Sequence, residues 1–227
     1  MTETAATHPA ETQPTETLGR RELNKARTRE AIVEALRALV GQQPIHKVTV
    51  DQLAERAGIS RRTFFNYYAG IPAVVSEVIG DNTQGLADMI TEIDTEQSPF
   101  VRLRGIIQTV GLPRELIEWM GLIHAHGCHD EPAAMTFERI VWADKATWLE
   151  DTLSARLPDG ADELYVATLA STIMNTVATA TRFWALRRDL TEPLDETAIA
   201  DFNHQVDRAL ALAESGWTSP AGNVARD

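Results

Sequence analysis

Arg61, Arg62, Thr63, Asn66, Tyr67 and Tyr68 fall in one short stretch of the chain, and together they carry a hydrogen-bonding vocabulary suited to nucleic acid. A guanidinium offers two donors to the O6 and N7 acceptors of guanine, and a carboxamide such as that of Asn66 pairs bidentately with adenine. Thr63 adds a hydroxyl and a methyl group, while tyrosine hydroxyls suit phosphate oxygens. Two adjacent arginines alone would equally fit a solvated helix face. The elements that hold them must decide.

Those elements are legible. Thr49-Val50-Asp51-Gln52 has the form of a capping box, in which the threonine hydroxyl and the glutamine side chain satisfy free backbone groups reciprocally. A short helix follows, with Val50, Leu53, Ala54 and Ala57 on one face. Gly58 suits the left-handed residue that stops a helix, and Ser60 caps a further helix running from Arg61 to about Tyr67. Leu53, Ala54, Ala57, Ile59 and Phe64 form a small core that sets the two helices at a steep angle. This is a helix-turn-helix, and its second helix presents the first turn to a major groove. Thr49, at the start of the first of these helices, is counted with the DNA-facing residues.

Upstream, Ala31, Ile32, Ala35, Leu36 and Leu39 recur at helical spacing from Asn24 to near Gly41. Residues 1–19, rich in Thr, Glu and Pro, predict a disordered tail. Beyond Pro72 the pattern predicts helices over about 72–93, 99–110, 113–127, 132–157, 161–188 and 195–215, separated by proline- and glycine-bearing breaks, with a frayed tail after 215. No stretch alternates like a strand. The fold class expected is therefore all-α: a three-helix N-terminal domain over 20–71 and a larger helical domain over 72–215.

A net charge of −12 argues against nucleic acid until its distribution is examined. Ten basic and five acidic residues between Arg20 and Gly70 leave that segment at +5, so the remainder carries −17. A basic segment on an acidic body approaches phosphates through one part only. The composition, 44% apolar and 24% charged, is that of an ordinary globular protein. The N-terminus lacks the basic and apolar regions of a secretory signal, and a single cysteine, Cys128, excludes an intrachain disulfide. The expected compartment is the cytoplasm.

The stretches TREAIVEALRALV and VTVDQLAERAGISRRTFFNYY resemble the DNA-binding domain of the tetracycline-repressor (TetR) family of bacterial regulators, over Lys25–Val75. Two departures stand out. The family often has His-Phe or Tyr-Phe late in the recognition helix, where this chain has Tyr67-Tyr68. The next helix commonly opens with a phosphate-binding lysine, where this chain has Gly70-Ile71-Pro72. Arg20, Arg21 and Lys25 either compensate as a basic arm on the phosphates or minor groove, or form a basic linker without fixed contacts.

The resemblance implies a homodimer bound to a palindromic operator in double-stranded DNA, repression, and release by a small-molecule effector. It also implies dimerisation through the last two long helices. The first of these is rich in small residues (Ala167, Ala170, Ser171, Thr172, Ala178, Ala180), which suit an interface or an internal core equally. The effector pocket is expected among Trp119, Met120, Ile123, Phe137, Trp142, Met174, Asn175 and Phe183, each of which also fits ordinary core packing.

An alternative effector is a metal ion, held by the cluster His124, His126, Cys128 and His129. On a helix His124 and Cys128 share a face but His126 does not, and no obvious fourth ligand is near. Packing and capping roles are the plainer expectation, with no metal and no cofactor. An enzyme using Cys128 with a nearby histidine is a third possibility. The chain has no nucleophile elbow, phosphate loop or HExxH motif, so no catalytic residue is assigned.

Overall fold

A computed structural model describes residues 14–91, 98–124, 131–155, 162–190 and 192–216. Among these the architecture is all-α. The helices are α1 (Pro14–Val40), α2 (Val50–Arg56), α3 (Arg61–Phe65), α4 (Ile71–Thr91), α5 (Pro99–Thr109), α6 (Arg114–His124), α7 (Pro132–Ser154), α8 (Glu163–Ala185) and α9 (Glu196–Glu214). A single 3-10 turn, Ile45–Lys47, follows Pro44 between α1 and α2. None of the described helices is long and apolar enough to cross a membrane.

The local signals account for the N-terminal domain. The Gln52 amide donates to the Thr49 hydroxyl at 3.2 Å, and the Thr49 amide donates to Gln52 Oε1 at 2.9 Å, so the capping box closes in both directions. Gly58 adopts φ +67°, which L side chains rarely accept, and lets the Ile59 amide donate back to the Ala54 carbonyl at 2.9 Å. Ser60 Oγ then accepts from the Thr63 amide at 2.9 Å and starts α3. Ile32, Leu36 and Val40 of α1, Leu53, Phe64 and Val74 are essentially inaccessible and form the domain's core.

Two boundaries differ from the sequence expectation. α1 begins at Pro14, well before Asn24 and inside the expected tail. Residues 19–27 are exposed throughout, so no apolar periodicity marks this stretch, and a proline at the first turn is compatible with helix. α3 ends at Phe65, two residues early: the Asn66 and Tyr67 amides already turn back in 3-10 fashion to Thr63 and Phe64.

The body is a stack in which α7 packs on α4 and α8, α9 packs on α8 and α5, and α6 lies under α4 and α8. Its core centres on Leu116, Ile117, Trp119, Leu149, Trp184 and Phe202. Trp184 meets Phe202 edge-to-face at 5.0 Å, a favoured aromatic geometry. These packed helices carry α4, which continues directly from the helix-turn-helix, into the middle of the body.

Candidate nucleic-acid interface and effector cavity

The exposed edge of α3 carries Arg61, Arg62 and Asn66, with Thr63 and Tyr67 half-buried beside them. Arg62 is exposed and engages no acid among the described residues. Arg61 is held: its Nη1 lies 3.0 Å from both carboxylate oxygens of Asp51, and its guanidinium sits 5.5 Å from the Phe65 ring centroid. The Thr63 hydroxyl is 2.7 Å from Ser60 Oγ, so it is engaged in the cap of its own helix. Thr49 likewise spends its hydroxyl within the capping box.

Tyr68 requires a correction. It was expected to reach a phosphate, but it is buried against Phe64 and its hydroxyl donates to Glu77 Oε1 at 2.8 Å. Burial first, and the Glu77 carboxylate second, push the phenol well above the ordinary tyrosine range. Arg29 Nε, 3.4 Å from Glu77, completes a small network joining α1 to α4. The signal was present in the spacing. Tyr68 stands four residues after the core residue Phe64, a helical interval, whereas Tyr67 is only partly buried against the core.

Arg20, Arg21 and Lys25 do not lie on an extended arm. They stand exposed along the N-terminal half of α1, with no fixed contact to the body. The opening of α4 is Gly70, Ile71 and Pro72, with Ile71 buried, so no cation occupies that position.

The helix-turn-helix is fastened to the body by ion pairs that sequence reasoning missed. Arg37 of α1 donates to Glu118 Oε2 at 2.9 Å and to Glu115 Oε1 at 3.0 Å, both on α6, while its guanidinium lies 5.0 Å from the Trp119 ring. Glu131, which immediately precedes α7, takes Lys47 Nζ at 3.0 Å and His46 Nε2 at 2.8 Å. Hydrogen bonds from Lys47 first, and His46 second, hold the Glu131 carboxyl below the usual carboxylate range.

The expected effector residues do not converge. Trp119, Ile123 and Phe137 are buried in the core. Trp142, Asn175 and Phe183 face an open groove between α7 and α8. Only Met120 and Met174 line an apolar cavity of about 60 Å³, with Leu103, Ile107, Leu116, Ile173 and Val177 among its other walls. At its α4–α7 side stand Thr83 and Trp148. Adjacent to Trp148, the ammonium of Lys145 is buried, 5.2 Å from the indole centroid and 4.0 Å from Asp144 Oδ2. Burial lowers the pKa of this amine, with Asp144, Asp81 and Glu77 opposing the shift.

His126, Cys128 and His129 lie outside the described residues. His124 is buried with Nδ1 3.2 Å from Glu138 Oε1, an interhelical pairing of α6 with α7. Among the described residues no group of three His, Cys, Asp or Glu could hold a metal ion.

Comparison with known proteins places this geometry in context. Residues 32–78 match the model of bacterial regulatory proteins of the tetR family. No curated protein matches. Among solved structures, the chain is similar to FadR of Thermus thermophilus, a TetR-family transcriptional repressor solved in complex with lauroyl-CoA. The identity is 18%, the TM-score 0.43, and the match covers 88% of this chain and 100% of that one.

Proposed function

We propose, from the premise that the N-terminal domain is that of the tetR family of bacterial regulatory proteins, that this chain is a transcriptional repressor acting as a homodimer on a two-fold operator. The observation that carries the reading is the exposed edge of α3. Arg61 and Arg62 stand on a capped helix whose opposite face, through Phe64, is locked into the core, and Asn66 follows as its C-terminal cap. An arginine pair in the first turn of such a helix and a carboxamide just past its end match the donor and acceptor pattern of a major groove. A five-residue recognition helix offers few base contacts, so useful affinity calls for two copies on adjacent groove faces.

Dimerisation is assigned to α8 and α9. Their outer surface leaves Phe183 and Leu212 exposed along one groove with Ala209 and Thr176. The effector is a small molecule bound in the helical body, where α4 to α9 leave a small apolar cavity. Its binding favours a body conformation in which the two recognition helices no longer match successive major grooves.

The test is selection of duplexes from a random pool by the purified chain, combined with sedimentation of the protein alone. An inverted repeat with half-sites about one helical turn apart, bound by a protein of twice the chain mass, is expected. Enrichment of no sequence over competitor DNA would overturn the regulator reading. A monomer bound to a single half-site would overturn the dimer.

A further inference from the structure

Residues 19–27 of α1 are exposed without exception, and from there onward the first core residue of the helix is Ile32. Four of these residues are cations, Arg20, Arg21, Lys25 and Arg27, against a single acid, Glu22. The stretch thus carries +3 on a chain whose net charge is −12. None of the four meets an acid among the described residues, and a Cβ added at Gly19 would touch nothing within 4 Å. Like charges one turn apart, as Arg21 and Lys25 are, oppose a helix. A polyanion laid along the cations would remove that repulsion.

The helix turns these charges to one side. At about 3.6 residues per turn, Arg20, Arg21, Lys25 and Arg27 fall within roughly half of its circumference, with Asn24 and Thr28 between them. Glu22, Leu23 and Ala26 take the other half. Arg21 and Lys25 also precede Arg29 at four-residue intervals, in one line along the helix. Arg29 fixes where this line meets the domain. Its Nε lies 3.4 Å from Glu77 Oε1, the same oxygen that takes the Tyr68 hydroxyl at 2.8 Å, and Tyr68 comes just after α3. The basic ridge therefore leaves the body beside the end of the helix that presents Arg61 and Arg62. At about 1.5 Å per residue, Lys25 and Arg21 stand roughly 6 and 12 Å beyond Arg29.

We propose that this half of α1 is a second DNA-contacting element, a rigid basic ridge that grips about two or three phosphates of the duplex flanking each half-site. It reads no bases, because long cations on a helix that lies along a strand meet phosphate oxygens first. A lipid surface would call for a broad apolar face opposite the cations, where Leu23 is the one large apolar side chain. The ridge also supplies positive charge to a domain whose α4 opens without any, at Gly70, Ile71 and Pro72. The proposal rests on the DNA-binding reading of α3 given above and extends its footprint beyond the bases that α3 meets.

The experiment titrates the full chain by fluorescence anisotropy at several salt concentrations. One selected duplex is trimmed to its half-sites, and another carries about one helical turn of arbitrary sequence on each side. The variant combines Arg20→Gln, Arg21→Gln, Lys25→Gln and Arg27→Gln, glutamine being a good helix former, with circular dichroism and sedimentation as controls. Wild type should prefer the longer duplex about tenfold at low salt. The variant should lose that preference, and its log–log salt slope on the longer duplex should fall by about 2 to 3, near 0.9 for each phosphate. On the trimmed duplex the two proteins should agree, with the same choice of bases. A protein with the charges exchanged conservatively, by Arg20→Lys, Arg21→Lys, Lys25→Arg and Arg27→Lys, should behave as wild type. An unchanged slope, a length preference that survives the glutamine changes, or an altered base choice overturns the assignment. So does a change confined to sedimentation, which would give the ridge to another copy of the chain. Selected DNA bound with an unchanged slope leaves the regulator standing without the ridge. A slope that falls in the variant on arbitrary duplex, with no sequence enriched, keeps the ridge and overturns the operator. A wild type that binds no DNA overturns both.

Discussion

Arg61 of α3 is tied to Asp51 of α2, with Nη1 3.0 Å from both carboxylate oxygens, across the turn that separates the two helices. On the proposed reading of α3, a donor meant for DNA is thus held back by an acid of its own domain. Both side chains are more than half exposed, and exposed pairs contribute at most about 1 kcal/mol.

Removing that acid should therefore help DNA binding more than it harms folding. Asp51→Ala is expected to raise affinity for selected DNA several-fold, within the ~1 kcal/mol typical of an exposed pair, and to raise nonspecific affinity as well. Fluorescence anisotropy on matched and scrambled duplexes checks this. A weaker Asp51→Ala protein would mean that Asp51 aims Arg61 at its base instead of withholding it.

Arg62 has no such tether. Arg62→Ala should cost about 1–3 kcal/mol on the selected operator and relax the preference at one base position. Circular dichroism and sedimentation should be unchanged, because the side chain supports neither core nor dimer. A loss that is uniform across all sequences, with a shallower salt dependence, would assign Arg62 to a phosphate.

Phe183 is 48% exposed on α8 and shares a groove with Leu212 of α9. Phe183→Glu should shift the protein to monomer in sedimentation and lower affinity for a two-half-site duplex far more than for an isolated half-site. A variant that remains dimeric would move the interface off this face.

Glu131 provides a pH dependence with a defined sign. Its folded-state carboxyl is held below its ordinary value by Lys47 and His46. The stabilisation is therefore complete above the unfolded carboxylate pKa of about 4.3 and is lost as pH falls through the lower folded value. Melting temperatures of wild type and Glu131→Gln should differ at neutral pH and converge in acid. A difference that stays constant down to about pH 3 would detach the effect from this titration.

Much of the N-terminal domain could be read from residues alone, because its signals are local. Thr49 with Gln52, Gly58 and Ser60 each satisfy a backbone need within a few positions. What stayed hidden depends on partners distant in the chain. Tyr68 looks like a second surface tyrosine until Glu77 and Phe64 are seen to enclose it. Lys145 reads as solvated from its charge, although Val141 and Leu149 four residues to either side already mark its face as core. The expected effector residues scattered for a related reason. Aromatic and methionine side chains announce burial, but burial in a packed helix stack does not say which side of the helix holds empty space. Early helix in α1 was missed because residues 19–27 are exposed throughout, so no apolar pattern marks that stretch.

The attachments of the helix-turn-helix have a mechanical consequence. It stands on three legs: the continuous chain of α4, the Arg37 bridge to α6, and the Lys47 and His46 bridge to the start of α7. Three supports that do not share a line make a tripod, which neither swivels nor rocks while its legs keep their lengths. Shifting any one of α4, α6 or α7 against the other two tilts the platform and changes the angle of α3. Two of those legs touch without room to spare, since a Cβ added at Gly80 of α4 would stand 3.0 Å from Lys145 Nζ of α7.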